Sequence, residues 1–455
     1  MMKTYKPMNQ LLLSLLLSVG ALMATPALAQ KTSAVVHPAW SKNATIYEAN
    51  IRQHSKEGSF QKFEEYLPEL KKMGVKIIWV MPINPIGEKN RKGTLGSYYA
   101  VRDYRGVNPE FGTPADFKRL VKAAHAHGMK LIIDWVANHT AWDHPWSEKH
   151  PEFYKKDKDG KFVPPVPDWA DVIALDYNNQ QLRKEMIESM RFWLKEYDID
   201  GFRCDVAAMV PTDFWNDARK ELDKTKKVFM LAEAMEWDLQ EKAFDMTYGW
   251  QYKDLWNDIA KGKKSVKDLD AYLNGEEKNY HPNSYRMLHI TNHDLNSWEG
   301  TEFERLGAGV EAFLVLSNIM PGMPLLYSGQ EAGNNKALNF FERDPIEWKP
   351  HPFKQLYTTL FQLKASNKAL WNGVDGGVMQ RLNTGADEHV FAFSREKAGN
   401  KVVAVFNLSD KPQSVSINAA LKSAGLKDIL TGQVAPQGAQ VKMELKAWEY
   451  KVYAK

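Results

Sequence analysis

Cysteine is almost missing from this chain: Cys204 is the single one in 455 residues. No internal disulfide can form, so the fold must be held by its core. Charge bias is missing too. The net charge is only +4 and no basic block occurs, which excludes a polyanion-binding surface of the nucleic-acid kind. After the first thirty residues no apolar run reaches the roughly 20 residues of a membrane span. Neither a nucleic-acid nor a membrane partner is therefore expected. No Gly-rich phosphate loop follows the first strand, which argues against a doubly wound dinucleotide-binding sheet.

What is present is ordinary in bulk, with 44% hydrophobic and 25% charged residues, and length enough for two domains. Aromatics are plentiful at 12%, with 15 Trp, a composition that suits core packing and the stacking of sugar rings alike. At the N-terminus Lys3 and Lys6 precede the run "LLLSLLLSVGALMA", and Ala27–Ala29 supplies a small-x-small cleavage pattern. Residues 1–29 are thus expected to be a signal peptide, and the mature protein to be exported, periplasmic or secreted. Its removal takes away two of the net positive charges.

From residue 44 to about 330 a short apolar strand, a polar loop and a helix alternate. The strands read "ATIYEANIRQ", "VKIIWVMPI", "KLIIDWVAN", "GFRCDVA", "VFMLAEA", "FDMTYGW", "YRMLHITNHD" and "PLLYSGQE". Between them lie amphipathic helices such as "FQKFEEYLPELKKMG" and "PADFKRLVKAAHAHGM", each ending near a Gly. Eight strands alternating with helices predict an α/β fold, a (β/α)₈ TIM barrel over residues 30–370, with a short excursion after strand 3 at about 140–180. From 371 to 455 the pattern changes to short alternating runs, "HVFAFSRE", "KVVAVFNLS", "QSVSINA" and "QVKMELKAWEYKVYA", which predict a C-terminal antiparallel β-sandwich.

In such a barrel the polar residues at the C-terminal strand ends are the catalytic candidates. Strand three ends "DWVANH", with Asp134, Asn138 and His139. Strand four ends with Arg203 and Asp205, which share one face of an extended chain about 7 Å apart. Strand five, otherwise apolar, ends in Glu233, and strand seven ends with His293 and Asp294. Three carboxylates in one mouth suit glycosidic bond hydrolysis, which needs one protonated acid and one ionised carboxylate. The apolar surroundings of Glu233 favour the acid, and Arg203 is expected to keep Asp205 ionised as the nucleophile. The plain alternative for Arg203 and Asp205 is an interior ion pair. Cys204, on the opposite face, reads as a small buried filler rather than a reactive thiol.

These residues resemble the α-amylase family of glycoside hydrolases, in particular exported bacterial α-amylases. "DWVANH" (134–139), "GFRCD" (201–205), "AEA" (232–234) and "NHD" (292–294) are similar to four family segments. "GVKIIWVMPINP", "YYAVRDYRGVNPEFGT" and "GMPLLYSGQE" resemble others, all in order. The resemblance implies Asp205 as nucleophile, Glu233 as general acid/base and Asp294 as transition-state stabiliser. It implies that His139 and His293 hydrogen-bond the sugar at the cleavage site, that Arg203 positions the nucleophile and that Tyr99 stacks on the sugar ring. Retention through a covalent glycosyl–enzyme follows, with the Asp205 and Glu233 carboxyls about 5–5.5 Å apart.

The chemistry asks for no cofactor. For the structural calcium of many family members the resemblance offers Asn138, but Ala174 stands where an Asp is usual and Met209 has only a backbone oxygen to give. Asp171 or Asp176 would have to replace them, so the sequence weighs against the metal. The substrate expected is an α-1,4-linked α-glucan or maltooligosaccharide. Val206, directly after the nucleophile, and "NHTAWDHPW" resemble the family's α-1,6-cleaving branch, so an α-1,6-glucosidase is the alternative; a transglycosylase of the same family is another, which no residue of the sequence singles out. A non-catalytic glucan-binding protein is disfavoured because all three carboxylates are kept. Trp142, Trp146 and Trp169 in the excursion are candidates either for sugar stacking or for packing a small subdomain, and the shortness of that excursion predicts an open cleft.

Overall fold

Every expected strand of the barrel forms, and the eight close on themselves in sequence order: β1 (Ile46–Ala49), β2 (Ile77–Val80), β3 (Lys130–Trp135), β4 (Gly201–Cys204), β5 (Phe229–Ala232), β6 (Met246–Tyr248), β7 (Tyr285–Leu288) and β8 (Met323–Tyr327). The computed structural model describes residues 35–418, 421 and 425–455; the expected signal peptide lies outside the described residues. All pairings in the barrel are parallel. Nearly every strand residue is buried, as helices on the outer face require, which is why the strands read as apolar runs. Among the described residues no helix is long and apolar enough to cross a membrane.

Register decides what the barrel mouth can do. β3 pairs with β4 so that Asp134 lies opposite Arg203, and β4 pairs with β5 so that Cys204 lies opposite Ala232. The next residue on each of those last two strands is Asp205 and Glu233. Neighbouring strands run about 4.8 Å apart, so the two acids leave the sheet side by side. Gly201 helps to fix this contact: a Cβ there would meet the Phe229 carbonyl oxygen at 1.9 Å, so only glycine allows the strands to approach.

Helices differ from expectation where proline intervenes. The run 60–74 is two helices, Phe60–Glu64 and Leu67–Met73, because Pro68 lacks an N–H and belongs in a first turn. The second ends at Gly74, in the left-handed conformation. Pro114–Ala126 starts with a capping box between Thr113 and Asp116, as "GTPAD" suggests.

The C-terminal part contains β9 (Met379–Leu382), β10 (Val390–Lys397), β11 (Asn400–Asn407), β12 (Gln413–Asn418), β13 (Lys427–Asp428), β14 (Gln440–Leu445) and β15 (Tyr450–Ala454). A five-stranded antiparallel sheet, β9-β10-β11-β15-β13, faces the two-stranded pair β12-β14. Alternation in β10 sends Val390 and Ala392 toward the small sheet and Phe391 and Phe393 into the barrel's own core. The large sheet is therefore buried on both faces. One expected run, "QVKMELKAWEYKVYA", divides into β14 and β15, in different sheets. Trp448, with a φ of 57°, turns the chain between them.

Candidate active site

One guanidinium organises the mouth. Fully buried, Arg203 sends Nη1 to Asp134 Oδ1 and to Asp205 Oδ1, each at 2.9 Å. Its Nη2 lies 3.0 Å from Glu233 Oε1, and its Nε donates to the Tyr248 hydroxyl at 3.2 Å. The alternative of a simple interior ion pair thus gives way to one cation facing three acids. Asp134 is the innermost, and it also accepts from Trp79 Nε1 (3.2 Å) and from the Tyr99 hydroxyl (3.1 Å). It anchors Arg203 without lining the cleft.

Asp205, Glu233, Asp294, Tyr99, His139 and His293 all line one cavity of about 600 Å³. Burial pushes the Glu233 carboxyl up to about 7; Arg203 opposes this and Asp205 and Asp294 add to it. Asp205 is also raised, to about 6, by burial, with Arg203 pulling it back. The expectation that Arg203 would hold Asp205 low is corrected on this point. The physical reason is burial, which outweighs the pull of Arg203 and is reinforced by the neighbouring charges of Asp134 and Asp294. The order of the two acids is nevertheless the expected one, with the proton favouring Glu233.

Val206 follows Asp205 in the left-handed conformation, φ 36° and ψ 48°, a rare place for a β-branched residue. Strain of this kind costs on the order of 1–3 kcal/mol and needs support. Here the Val206 N–H donates to Glu233 Oε2 at 2.7 Å, tying the turn after one acid to the other acid.

A second chain of contacts crosses the mouth. His293 is buried, bonded through Nδ1 to Glu48 Oε1 and through Nε2 to the Tyr99 hydroxyl at 2.7 Å, with Asp294 Oδ2 at 3.2 Å. Burial alone would lower this imidazole, but Asp294 and Glu48 outweigh it and raise His293 to about 9. As an imidazolium it donates from both nitrogens, so the Tyr99 hydroxyl accepts from it and donates to Asp134. Tyr99 also stacks on His293, ring centroids 5.5 Å apart. His139 behaves oppositely: burial lowers it to about 4, so it is a neutral imidazole, with its ring edge against Trp169.

Glu48 was not among the residues singled out from sequence. It sits inside β1 rather than at a strand end, and its signal was a lone acid in an otherwise apolar strand. Of the three excursion tryptophans only Trp169 lines the cavity. Trp142 bonds the Ala170 carbonyl, and Trp146 packs on Tyr104, His144 and Phe153, so both build the subdomain. Lys92 reaches across to the Asp168 carbonyl (2.7 Å) and Asp171 (3.3 Å), while Trp298, Phe340 and Phe341 form the far wall. Cys204 is buried and its thiol is held protonated, consistent with filler.

Asn138 lies beside the stretch weighed with it for calcium, its carbonyl accepting from the Leu175 N–H at 3.1 Å. Asn138 Nδ2 contacts His139 Nδ1 at 3.3 Å, and Ala174 pairs with His139 in a separate two-stranded antiparallel sheet. Asp171 is engaged by Lys92, Asp176 caps the turn at Asn178, and Met209 lies 41% exposed. Among the described residues no three His, Cys, Asp or Glu side chains are grouped to hold a metal.

Residues 41–167 and 166–367 match the family model described as the catalytic domain of alpha amylase. The chain belongs to the α-amylase family. Residues 379–452 match the maltogenic amylase C-terminal domain. The maltogenic α-amylase AmyB of Thermotoga neapolitana superposes with a TM-score of 0.83 at 30% identity, over 91% of this chain and 99% of that one. An α-amylase of Lactobacillus plantarum gives 0.82 at 30% identity, over 91% and 99%. The α-amylase MalA of Haloarcula japonica is 25% identical over 87% of this chain, which spans 59% of the length of that protein. The expected family and fold are thereby borne out.

Proposed function

We propose that this family member is a retaining hydrolase of α-1,4-linked α-glucans or maltooligosaccharides. The observation that carries the reading is the pair of acids, Asp205 and Glu233, leaving adjacent parallel strands and gripped by the two terminal nitrogens of Arg203. Adjacent strands about 4.8 Å apart favour the roughly 5–5.5 Å carboxyl separation of retaining enzymes. In the first step Asp205 attacks the anomeric carbon while Glu233 gives its proton to the departing glycosidic oxygen. In the second, Glu233 takes a proton from water, which attacks the same carbon and releases Asp205. Asp294 faces the sugar hydroxyls, neutral His139 binds another, and Tyr99, held by the His293 imidazolium, supports the ring. Arg203 is a positioning residue for both acids.

Maltoheptaose and isomaltotriose, followed by the anomeric form of the first products, test this. Release of α-configured products from maltoheptaose supports the reading, and cleavage of isomaltotriose alone transfers it to α-1,6 bonds, with Val206 as the residue to exchange.

The ionisations give a second prediction. Asp205 must be ionised, so kcat/KM rises as pH passes about 6, and Glu233 must be protonated, so it falls beyond about 7. A narrow bell is expected, its limbs belonging to the pair together. A profile still flat above about pH 8 would contradict the assignment.

We propose further that no calcium is needed. EDTA is expected to leave both Tm and turnover unchanged, whereas a large drop in either, restored by Ca²⁺, would refute this. Export is our reading of Lys3, Lys6 and Ala27–Ala29; N-terminal sequencing of the protein from a periplasmic extract checks it, a start at residue 30 being expected.

A further inference from the structure

Outside the cleft there is a second cavity of about 590 Å³, between the segment after β1 and the segment after β8. Exposed large aromatic side chains are scarce: among the described residues they are Trp298, in the cleft wall, and Trp348, at this second cavity. Trp348 is 38% exposed and yet fixed. Its indole N–H donates to the His54 carbonyl, 2.6 Å away, and its ring meets His54 and Tyr66 with centroids 5.0 and 4.9 Å apart. A rigid half-open aromatic face loses little entropy when something settles on it. Tyr66 is not available in the same way, because the Lys354 ammonium sits 5.7 Å from its ring.

The remaining groups narrow the chemistry of the occupant. Lys62 is paired with Glu65 at 3.1 Å and Lys354 with Glu69 at 3.0 Å, and Lys349 adds a further ammonium, so the rim is rich in groups that hydrogen-bond hydroxyls. Buried Glu331 closes the floor. Tyr47 and Tyr66 donate to one of its oxygens, at 2.8 and 3.2 Å, and the Gly329 N–H to the other. Burial lifts this carboxyl to about 7 and holds the His54 imidazole down at about 4, so neither presents a firm charge near neutral pH. A fixed flat aromatic face ringed by hydrogen-bonding ammonium and carboxylate groups suits a polyhydroxylated ring.

We propose that this cavity is a second α-glucan site, which seats a glucosyl unit face-on against Trp348. The choice of glucan rests on the proposed function. Its consequence follows from one shared segment. Gln53 staples the chain after β8, donating to the Asn339 and Glu342 carbonyls (2.8 and 2.9 Å) and accepting from the Asp344 N–H (2.6 Å). That segment carries Phe340 and Phe341 to the cleft and Trp348 to the second cavity. A long glucan held at Trp348 is thus kept at high effective concentration beside the cleft, while a short one gains nothing.

Calorimetric titration of the full-length Glu233→Gln protein with maltoheptaose tests the site, beside the same protein with Trp348→Ala. Two binding events are expected in the first and one in the second. In the wild-type background, Trp348→Ala should raise KM for soluble starch about tenfold and leave maltotriose turnover unchanged. If turnover of maltotriose falls as well, the shared segment has moved. Glu65→Arg, an exposed change at the rim that does not touch Trp348, then decides: it should weaken the second event about tenfold. A single event in Glu233→Gln, or a second event indifferent to both substitutions, overturns the proposal. Cleavage of maltoheptaose by the wild-type protein, measured in parallel, separates the two readings. A single event with cleavage removes only the second site, whereas neither cleavage nor binding removes the glucan reading itself.

Discussion

Asp205→Asn is expected to abolish turnover of maltoheptaose, with kcat lowered roughly 10⁴–10⁶-fold, the scale seen when a covalent nucleophile is removed. Asn has the shape of Asp and can still accept from Arg203 Nη1, so the loss would come from chemistry and not from a collapsed site. KM and Tm should therefore change little. Glu233→Gln should behave differently according to the leaving group. It lacks the proton that a glucosyl leaving group needs, but a substrate whose leaving group departs unaided bypasses that need in the first step. Turnover would then be limited by the second step, where Glu233 acts as base, and a small nucleophile such as azide should rescue it. Equal losses on both kinds of substrate would contradict the assignment of Glu233.

Arg203→Met is expected to be the most destabilising single change in the mouth. It leaves Asp134, Asp205 and Glu233 buried together without their cation, and breaking a buried pair by removing one partner costs about 3–5 kcal/mol. The cost has a sign with pH. Without Arg203 each carboxyl is pushed further up, so at low pH all three are protonated and the missing cation matters little. Well above pH 7 their ionisation is opposed and the loss is greatest. Chemical denaturation at about pH 5 and about pH 8 measures the difference. A variant equally stable relative to wild type at both pH values would show that the guanidinium does not hold the three acids.

Much of this was legible in the sequence for one physical reason. A parallel strand covered on both faces must be apolar, so the eight strands stand out, and an acid at the end of such a strand is costly unless it has work to do. Asp205, Glu233 and Asp294 were visible on that ground. Glu48 was not, because its partner His293 is 245 residues away and only closure of the barrel joins them. The same holds for Trp348, whose cavity combines residues 54–66 with residues 331–354. Charge sharing at Arg203 was hidden as well: adjacency in sequence suggested a pair, while strand register delivers two further acids, Asp134 and Glu233. Trp142, Trp146 and Trp169 could not be told apart by composition, since what separates them is which face of a small subdomain each occupies. Secondary structure was misread where a local device intervened, at Pro68, at Trp448 and at Asn50, which caps a short helix, Ile51–His54, inside the expected first strand.

The central claim is that Asp205 becomes covalently bonded to the sugar. The most direct measurement incubates the wild-type protein with a 5-fluoro-α-glucosyl fluoride, in which the slowed second step lets the intermediate accumulate, and maps the added mass by peptide digestion. A single glucosyl adduct on the peptide carrying Asp205, absent in Asp205→Asn, is the predicted result. Turnover without any adduct, or an adduct on Asp294 or Glu233, would contradict the account.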